Sequence, residues 1–387
     1  MQTKLGAAQS RRTSAKFRRK ILARYLGLIL LTLMMACSLT INLAPEQATP
    51  TETLPAWPCS PSTKDFPLQF HVEGNAFVDQ NNNPTMFRGM AAIDPIYQRF
   101  DSSTNHTQWN EQYYRVMGQW CANIIRLPIL PSSLRNYGME KTLETLDQTI
   151  AWAAKYKLYV IIDFHALGWP PENFYPPDAP WYSSTQMEVM SFWETISSRY
   201  AHNNTVAFYE LYNEPVTPAS YKDYSGASAT LQDWQIWKKF IEPIMVVIRA
   251  NDPDKIVLVG GLQFAYDLSF VADDPITGKN VAFATHPYSH PTWKKDWDAA
   301  FGDLSAQYPI FATEFGYDQG SSPDDNMNGT PYHEAIINYL EEHHISWTVW
   351  VFDGTWAPPL LMDNFTYQPS PAGEYFRGIM HDLNSPK

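Results

Sequence analysis

Eight short apolar runs recur along the body of this chain, each followed by a longer polar or amphipathic stretch. No other feature limits the fold as much. The runs cover residues 85–92, 122–128, 158–165, 207–213, 255–261, 280–286, 309–314 and 345–351. They are near-continuous rather than alternating, the pattern of parallel strands covered on both faces. Between them, Leu143, Leu146, Ile150 and Ala154 recur every three or four residues and mark one face of a helix over 140–156. Further helices are predicted near 108–119, 184–200, 230–250 and 331–343. Eight strands alternating with helices predict an α/β chain folded as a (β/α)8 TIM barrel. A doubly wound open sheet also alternates, but it carries a Gly-rich phosphate loop after its first strand, and none stands here. Residues 70–83 (FHVEGNAFVDQNNN) read as an N-terminal β-hairpin turning at Gly74-Asn75, placed to cover the N-terminal end of the barrel.

Ahead of that body the chain changes character. Residues 1–24 hold eight Lys/Arg and no Asp/Glu, and residues 25–43 (YLGLILLTLMMACSLTINL) run 19 positions without a charge. That run is long enough to span a bilayer as a transmembrane signal-anchor, with the basic flank in the cytoplasm. A cleaved signal peptide and lipid attachment at Cys37 stay open beside it, and all three readings place the body outside the cytoplasm. Residues 44–65 contain Pro45, Pro50, Pro55, Pro58 and Pro61 and read as an extended linker. Residues 66–387 are then the barrel. Removing the eight leader charges from the net of −12 leaves −20 on the rest. A body that acidic excludes nucleic acid as a partner and fits a neutral ligand. The membrane is met only through 25–43, and a monomer is expected. The three cysteines, Cys37, Cys59 and Cys121, have no metal-ligand spacing. A Cys59–Cys121 disulfide is one option, but Cys121 reads first as a small buried apolar residue.

Residues at the C-terminal ends of barrel strands converge on one face. Here those ends offer Arg126, Asp163-Phe164-His165, Asn213-Glu214, His286 with Tyr288, Glu314, and Trp347 and Trp350 with Asp353 beyond. Any one of them has an ordinary structural explanation, and Glu210 reads as an inward carboxylate paired with Arg88 or Arg126. Together they do not, because ionisable groups at the ends of apolar strands are costly unless paired or used. Two carboxylates on different strands suit glycoside hydrolysis, where one protonates the leaving oxygen and the other attacks the anomeric carbon or activates water. Arg126 can keep a nucleophile ionised. His165, His286 and Tyr288 can orient both carboxylates, Asn213 can bond a sugar 2-hydroxyl, and Trp350 can floor the sugar ring. The aromatic loop residues Trp169, Phe174, Tyr175, Trp181, Trp293 and Trp356 are stacking candidates, since sugar C–H faces pack on rings.

These residues also resemble a known family. The GN-x3-D…FRG opening (74–89), IRLP (125–128), D-F-H (163–165), ELYNEP (210–215), HPY (286–288), ATEFG (312–316) and the Trp-rich last strand (347–350) resemble glycoside hydrolase family 5, the cellulase and mannanase family of clan A, over most of 66–380. The resemblance implies a retaining, double-displacement enzyme with Glu214 as acid/base and Glu314 as nucleophile. Arg126, His165, Asn213, His286, Tyr288 and Trp350 match the family's surrounding positions, and the family uses no cofactor or metal. The implied substrate is a β-linked polysaccharide or oligosaccharide. Endo-β-1,4-glucanase is preferred, with mannanase or an exo-acting glucosidase behind it. Two other classes stay open: a barrel hydrolase with a divalent ion on Asp163, His165, His286, Glu214 and Glu314, and a surface glycan-binding protein without turnover.

Overall fold

The computed structural model describes residues 65–385 except 104, 223–228, 290–295, 318–325 and 328–329. The basic leader, the apolar run, nearly all of the linker, Cys37, Cys59 and Trp293 lie outside the described residues. β1 (Phe70–Glu73) and β2 (Ala76–Asp79) form the expected hairpin, with Gly74 at positive φ in its turn. The barrel follows as β3 (Arg88–Ala91), β4 (Ile124–Ile129), β5 (Tyr159–Phe164), β6 (Val206–Glu210), β7 (Ile256–Gly260), β8 (Val281–Thr285), β9 (Ile310–Ala312) and β10 (Ser346–Val349). Each strand pairs in parallel with the next, and β10 closes on β3 through Trp347 opposite Arg88 and Val349 opposite Met90. The eight apolar runs are therefore the eight strands. β4 through β8 are buried at every position, which is why their sequences show no alternation. The β3–β4 seam is tight: a Cβ on Gly89 would lie 1.8 Å from the Ile124 carbonyl oxygen, so only glycine fits there.

Helices α1 (Pro95–Phe100), α2 (Glu111–Gln119), α3 (Pro131–Lys155), α4 (Gln186–Tyr200), α5 (Leu231–Asn251), α6 (Tyr332–Glu342) and α7 (Pro371–Asn384) are the α-helices longer than five residues among the described residues. Thr185 with Glu188 and Thr230 with Asp233 form capping boxes that start α4 and α5 where the sequence pattern puts them. α3 starts earlier than predicted, at Pro131, and breaks at Gly138 (φ 83°, ψ 161°). Its buried face is Thr142, Thr145, Leu146, Thr149, Ile150 and Ala153 rather than one including Leu143 and Ala154. The threonines can be buried because Thr142 and Thr145 donate to carbonyls one turn back and Thr149 accepts from Trp109 Nε1. Between β8 and β9 the chain makes a π-turn and a 3-10 turn over Asp298–Ala306 in place of a longer helix.

The barrel interior is apolar at its base and charged at its top. Phe70 and Phe77 of the hairpin pack edge-on against Phe87, and Phe87 meets Phe208 at 5.0 Å and Tyr159 at 5.7 Å. This aromatic plug closes the N-terminal end, as the hairpin's position suggested. Cys121 is buried as expected, but it is disulfide-bonded, which corrects its reading as a free apolar residue. Cysteine spacing alone does not report whether two Cβ atoms come within bonding range.

Candidate active site

The strand ends gather their polar residues around one guanidinium. Arg126 on β4 is fully buried. Its Nε donates to Glu210 Oε2 at 2.6 Å and its Nη1 to Glu314 Oε2 at 2.7 Å. Its Nη2 donates to Asn213 Oδ1 at 2.7 Å and lies 2.9 Å from Asp163 Oδ2. Glu210 is thus the structural carboxylate, and Arg126 is its partner; Arg88 instead pairs with Glu341 at 2.7 Å on the outer wall. Burial raises the Glu210 carboxyl, but Arg126 and the His286 hydrogen bond outweigh it and bring it down to about 2.

The two carboxylates of interest face each other across this hub. Glu214 follows β6 and Glu314 follows β9, and one oxygen of each, with a nitrogen of His286, lies within 4.8 Å of the others. Glu314 Oε1 accepts from Tyr288 Oη at 3.0 Å, while Arg126 holds Oε2. Burial raises the Glu314 carboxyl, yet Arg126, His286, His165 and the Tyr288 hydroxyl together leave it below the ordinary range. Glu214 Oε1 sits 3.1 Å from His286 Nδ1, and its side chain is more open than that of Glu314, 18% against 10%. His286 Nε2 is shared between Thr313 Oγ1 at 3.1 Å and Glu210 Oε1 at 3.5 Å. Burial lowers His286, but hydrogen bonds to Glu210 and Glu214 and the Glu314 charge raise it to about 9, so it is an imidazolium at neutral pH. Burial keeps Tyr288 well above its ordinary value and therefore a neutral donor.

Trp350 directly follows β10, is joined to Val351 by a cis peptide bond and lies parallel to the His165 ring, centroids 5.4 Å apart and planes 8° apart. Trp356 stands 6.1 Å beyond Trp350, its backbone N–H held at 2.9 Å by buried Asp353. From there a cavity of about 490 Å³ opens along Tyr97, Leu130, Tyr137, Trp181 and Tyr182. Trp181 is 48% exposed and offers a free face. Eight of the residues expected at the site (Glu214, Glu314, Arg126, His165, Asn213, His286, Tyr288 and Trp350) come together there, and Trp356 borders the cavity.

Trp169 is the correction. It is 1% exposed and stacks on Trp237 of α5 at 5.6 Å, so its ring packs the loop after β5 against that helix and leaves almost no surface for stacking a sugar. Phe174 also packs against the core. Trp169→Ala is therefore expected to cost about 3–5 kcal/mol of stability, with KM unchanged on soluble glycans. Trp356→Ala should leave the unfolding midpoint in place and raise KM for tetramers and longer chains. Denaturant melts and oligomer kinetics on both variants separate these outcomes.

Residues missed at first are Thr313, which donates to Glu210 at 2.7 Å, and Tyr182, whose ring sits 5.5 Å from His165. Burial first, then the charges of Glu314 and Glu214, push Tyr182 up to about 12. Thr313 is adjacent to Glu314 in ATEFG, but nothing in a threonine's type announces an inward hydrogen bond. Tyr182 lies in a loop rich in rings, where composition does not rank them.

A closed eight-stranded barrel with paired carboxylates, an arginine hub and an aromatic floor at its C-terminal face is the architecture of the barrel glycosidases. The chain belongs to glycosyl hydrolase family 5: the Cellulase family model matches residues 78–355. It is 27% identical over 290 residues to Endoglucanase E-5 of Thermobifida fusca, covering 72% of this chain and 54% of that protein. It is 29% identical over 289 residues to Cellulase CelDZ1 of Thermoanaerobacterium, covering 70% and 66%. The chain thus spans between about half and two thirds of these curated relatives. The β-glucanase SdGluc5_26A of Saccharophagus degradans superposes with a TM-score of 0.71 at 32% identity, over 82% of this chain and 94% of that one. A second structure of that β-glucanase contains cellotetraose.

Proposed function

We propose that this protein is a retaining endo-β-1,4-glucanase working outside the cytoplasm. The observation that carries the proposal is the approach of Glu214 and Glu314 to within 4.8 Å across the Arg126 hub. Retaining glycosidases need about 5–5.5 Å between their carboxyl groups, whereas inverting ones leave room for a water at about 6.5–9.5 Å. Glu314, held ionised, attacks the anomeric carbon and forms a glycosyl ester. Glu214 gives its proton to the departing glycosidic oxygen. Glu214 then takes a proton from water, which displaces Glu314 and restores both groups. Asn213 has its Oδ1 tied to Arg126, so its amide N–H is free to donate to the sugar 2-hydroxyl. Trp350 supplies the apolar floor.

β-1,4-Glucan is favoured because endoglucanases, a cellulase and a β-glucanase head the relatives, and an aromatic-lined groove suits a chain rather than a single sugar. Export is supported by the basic and apolar leader and by the disulfide at Cys121, which fits an oxidising compartment. The membrane-anchored form is the proposed one if residues 25–43 stay uncleaved. A divalent ion on Glu214, His286 and Glu314 is disfavoured by chemistry: the Arg126 cation stands 2.7 Å from Glu314, and both Glu314 oxygens already accept hydrogen bonds, from Arg126 and Tyr288.

The test is a reducing-end assay of purified protein on carboxymethyl-cellulose, mixed-linkage glucan, mannan and aryl glucosides, before and after exhaustive chelation. New ends on cellulose with a steep fall in viscosity, unchanged by chelation, support the proposal. Cleavage of mannan alone, release of single sugars, or loss of activity on chelation each sinks it.

A further inference from the structure

One buried carboxylate at the site has no part in the two-carboxylate chemistry. Asp163, the last residue but one of β5, has no exposure and lies directly opposite Glu210 on β6. Its Oδ2 accepts from His165 Nδ1 at 2.6 Å and lies 2.9 Å from Arg126 Nη2. Its Oδ1 has no hydrogen-bond partner among the described residues. Asp163 and His165 are two apart on one strand direction, so they share a face and this contact is built into the pleat. The imidazole lies against the Trp350 ring and Tyr182, and with Nδ1 taken by Asp163 its Nε2 is the nitrogen available to a ligand lying on Trp350.

We propose that Asp163 is a positioning residue that sets the tautomer of His165. While Asp163 is ionised, the imidazole hydrogen stays on Nδ1, and Nε2 presents a lone pair to a hydroxyl of the bound sugar. When the Asp163–His165 pair takes up a proton, Nε2 comes to carry a hydrogen, and the acceptor becomes a donor. The inference rests on the glycosidase reading for its consequence in turnover, but the tautomer itself does not.

The charged and titratable groups around Asp163 are Arg126 from β4, Glu210 from β6, His165 beyond its own strand and the Tyr182 phenol from the following loop. Burial, which dominates, and Glu210 raise the Asp163 carboxyl, while Arg126 and His165 lower it; the outcome is about 6, up from 3.8. Glu314 is shifted the other way. The nucleophile is thus shifted away from an acid limb near pH 6, and the Asp163–His165 pair towards one. Activity is present above about pH 6 and is lost as pH falls through that value.

The experiment has two arms. First, kcat and KM are measured from pH 4 to 8 on a soluble cello-oligosaccharide for wild type, Asp163→Asn, His165→Gln and the double variant. Asp163→Asn should lose on the order of 10- to 100-fold, the range found when a carboxylate that orients a metal-bound histidine is removed. Most of that loss should fall in kcat, the limb near pH 6 should vanish, and the double variant should lose far less than the product of the single losses. Second, nitrogen-15 NMR of His165 in wild type should show an Nδ1–H tautomer above pH 6 that switches near it. The NMR arm needs no turnover and no folded variant, so it decides the tautomer even if no glucan is cleaved. An acid limb retained by folded Asp163→Asn, multiplicative losses, or an Nε2–H tautomer at neutral pH overturns the proposal.

Discussion

Glu314→Gln is expected to lower kcat by at least about three orders of magnitude with no change in the folded state. Glutamine keeps the shape of the side chain, and its carbonyl oxygen can still accept from Arg126 or Tyr288. What disappears is the anion that attacks the anomeric carbon. Glu214→Gln should fail differently. It should lose a comparable factor on cellulose, where the leaving oxygen needs a proton. It should lose much less in the first step on an aryl cellobioside, whose phenolate leaves unassisted. Without a base to activate water, the second step then stalls, and intact-mass spectrometry should show a cellobiosyl adduct on the Glu214→Gln protein. No adduct should form on Glu314→Gln. The contrast assigns the roles one by one, since a shared structural defect would slow both steps of both variants. Reversal of the adduct pattern, or Glu314→Gln within tenfold of wild type, would refute the assignment.

The strands were legible because burial on both faces leaves eight uninterrupted apolar runs, and their order alone brings Arg126, Glu214, His286 and Glu314 to one end. The expected boundaries ran past several strands at the C-terminal side. In 207–213 and 309–314 the apolar run continues into Asn213 and Glu314, although the ladders stop at Glu210 and Ala312. Those overshoots are where the backbone leaves the sheet and turns its side chains into the site. Helix α7 buries Phe376 and Met380 at a four-residue spacing, a face short enough that the sequence pattern marks no helix beyond 343. Trp169 was not readable. Its neighbours Pro170 and Pro171 stiffen the loop, but which face of the ring is covered depends on Trp237, 68 positions away, and only tertiary packing brings them together. Glu210 was placed correctly because a carboxylate inside an apolar strand needs a cation. Choosing Arg126 over Arg88 required the barrel register: Arg88 begins β3 and points outward to Glu341.

That same cation carries a stability effect as large as that expected of Trp169, and one that depends on pH. Arg126→Ala leaves Asp163, Glu210 and Glu314 buried without their shared guanidinium, and Asp163 lies directly opposite Glu210 on the neighbouring strand. Like charges so placed repel, and removing one partner of a buried ion cluster costs about 3–5 kcal/mol. The cost should depend on pH with a definite sign. In wild type, Glu210 sits at about 2, below its unfolded value, so its share of stability is present above the unfolded value and is lost as pH falls through about 2. In the variant, burial is left as the leading influence on these carboxyls and raises them. The native state then binds more protons than the unfolded chain, and stability falls as pH rises above the ordinary carboxylate range. His286, at about 9, offsets part of this while it stays protonated. The gap between wild type and Arg126→Ala in denaturant midpoint should therefore be wide at pH 7 and narrow at pH 4. Arg126→Lys should recover only part of it, because a single ammonium cannot reach Glu210, Glu314, Asn213 and Asp163 together. A gap that stays constant between pH 4 and pH 7 would mean that Arg126 contributes packing rather than charge, and the hub would have to be redrawn around His286.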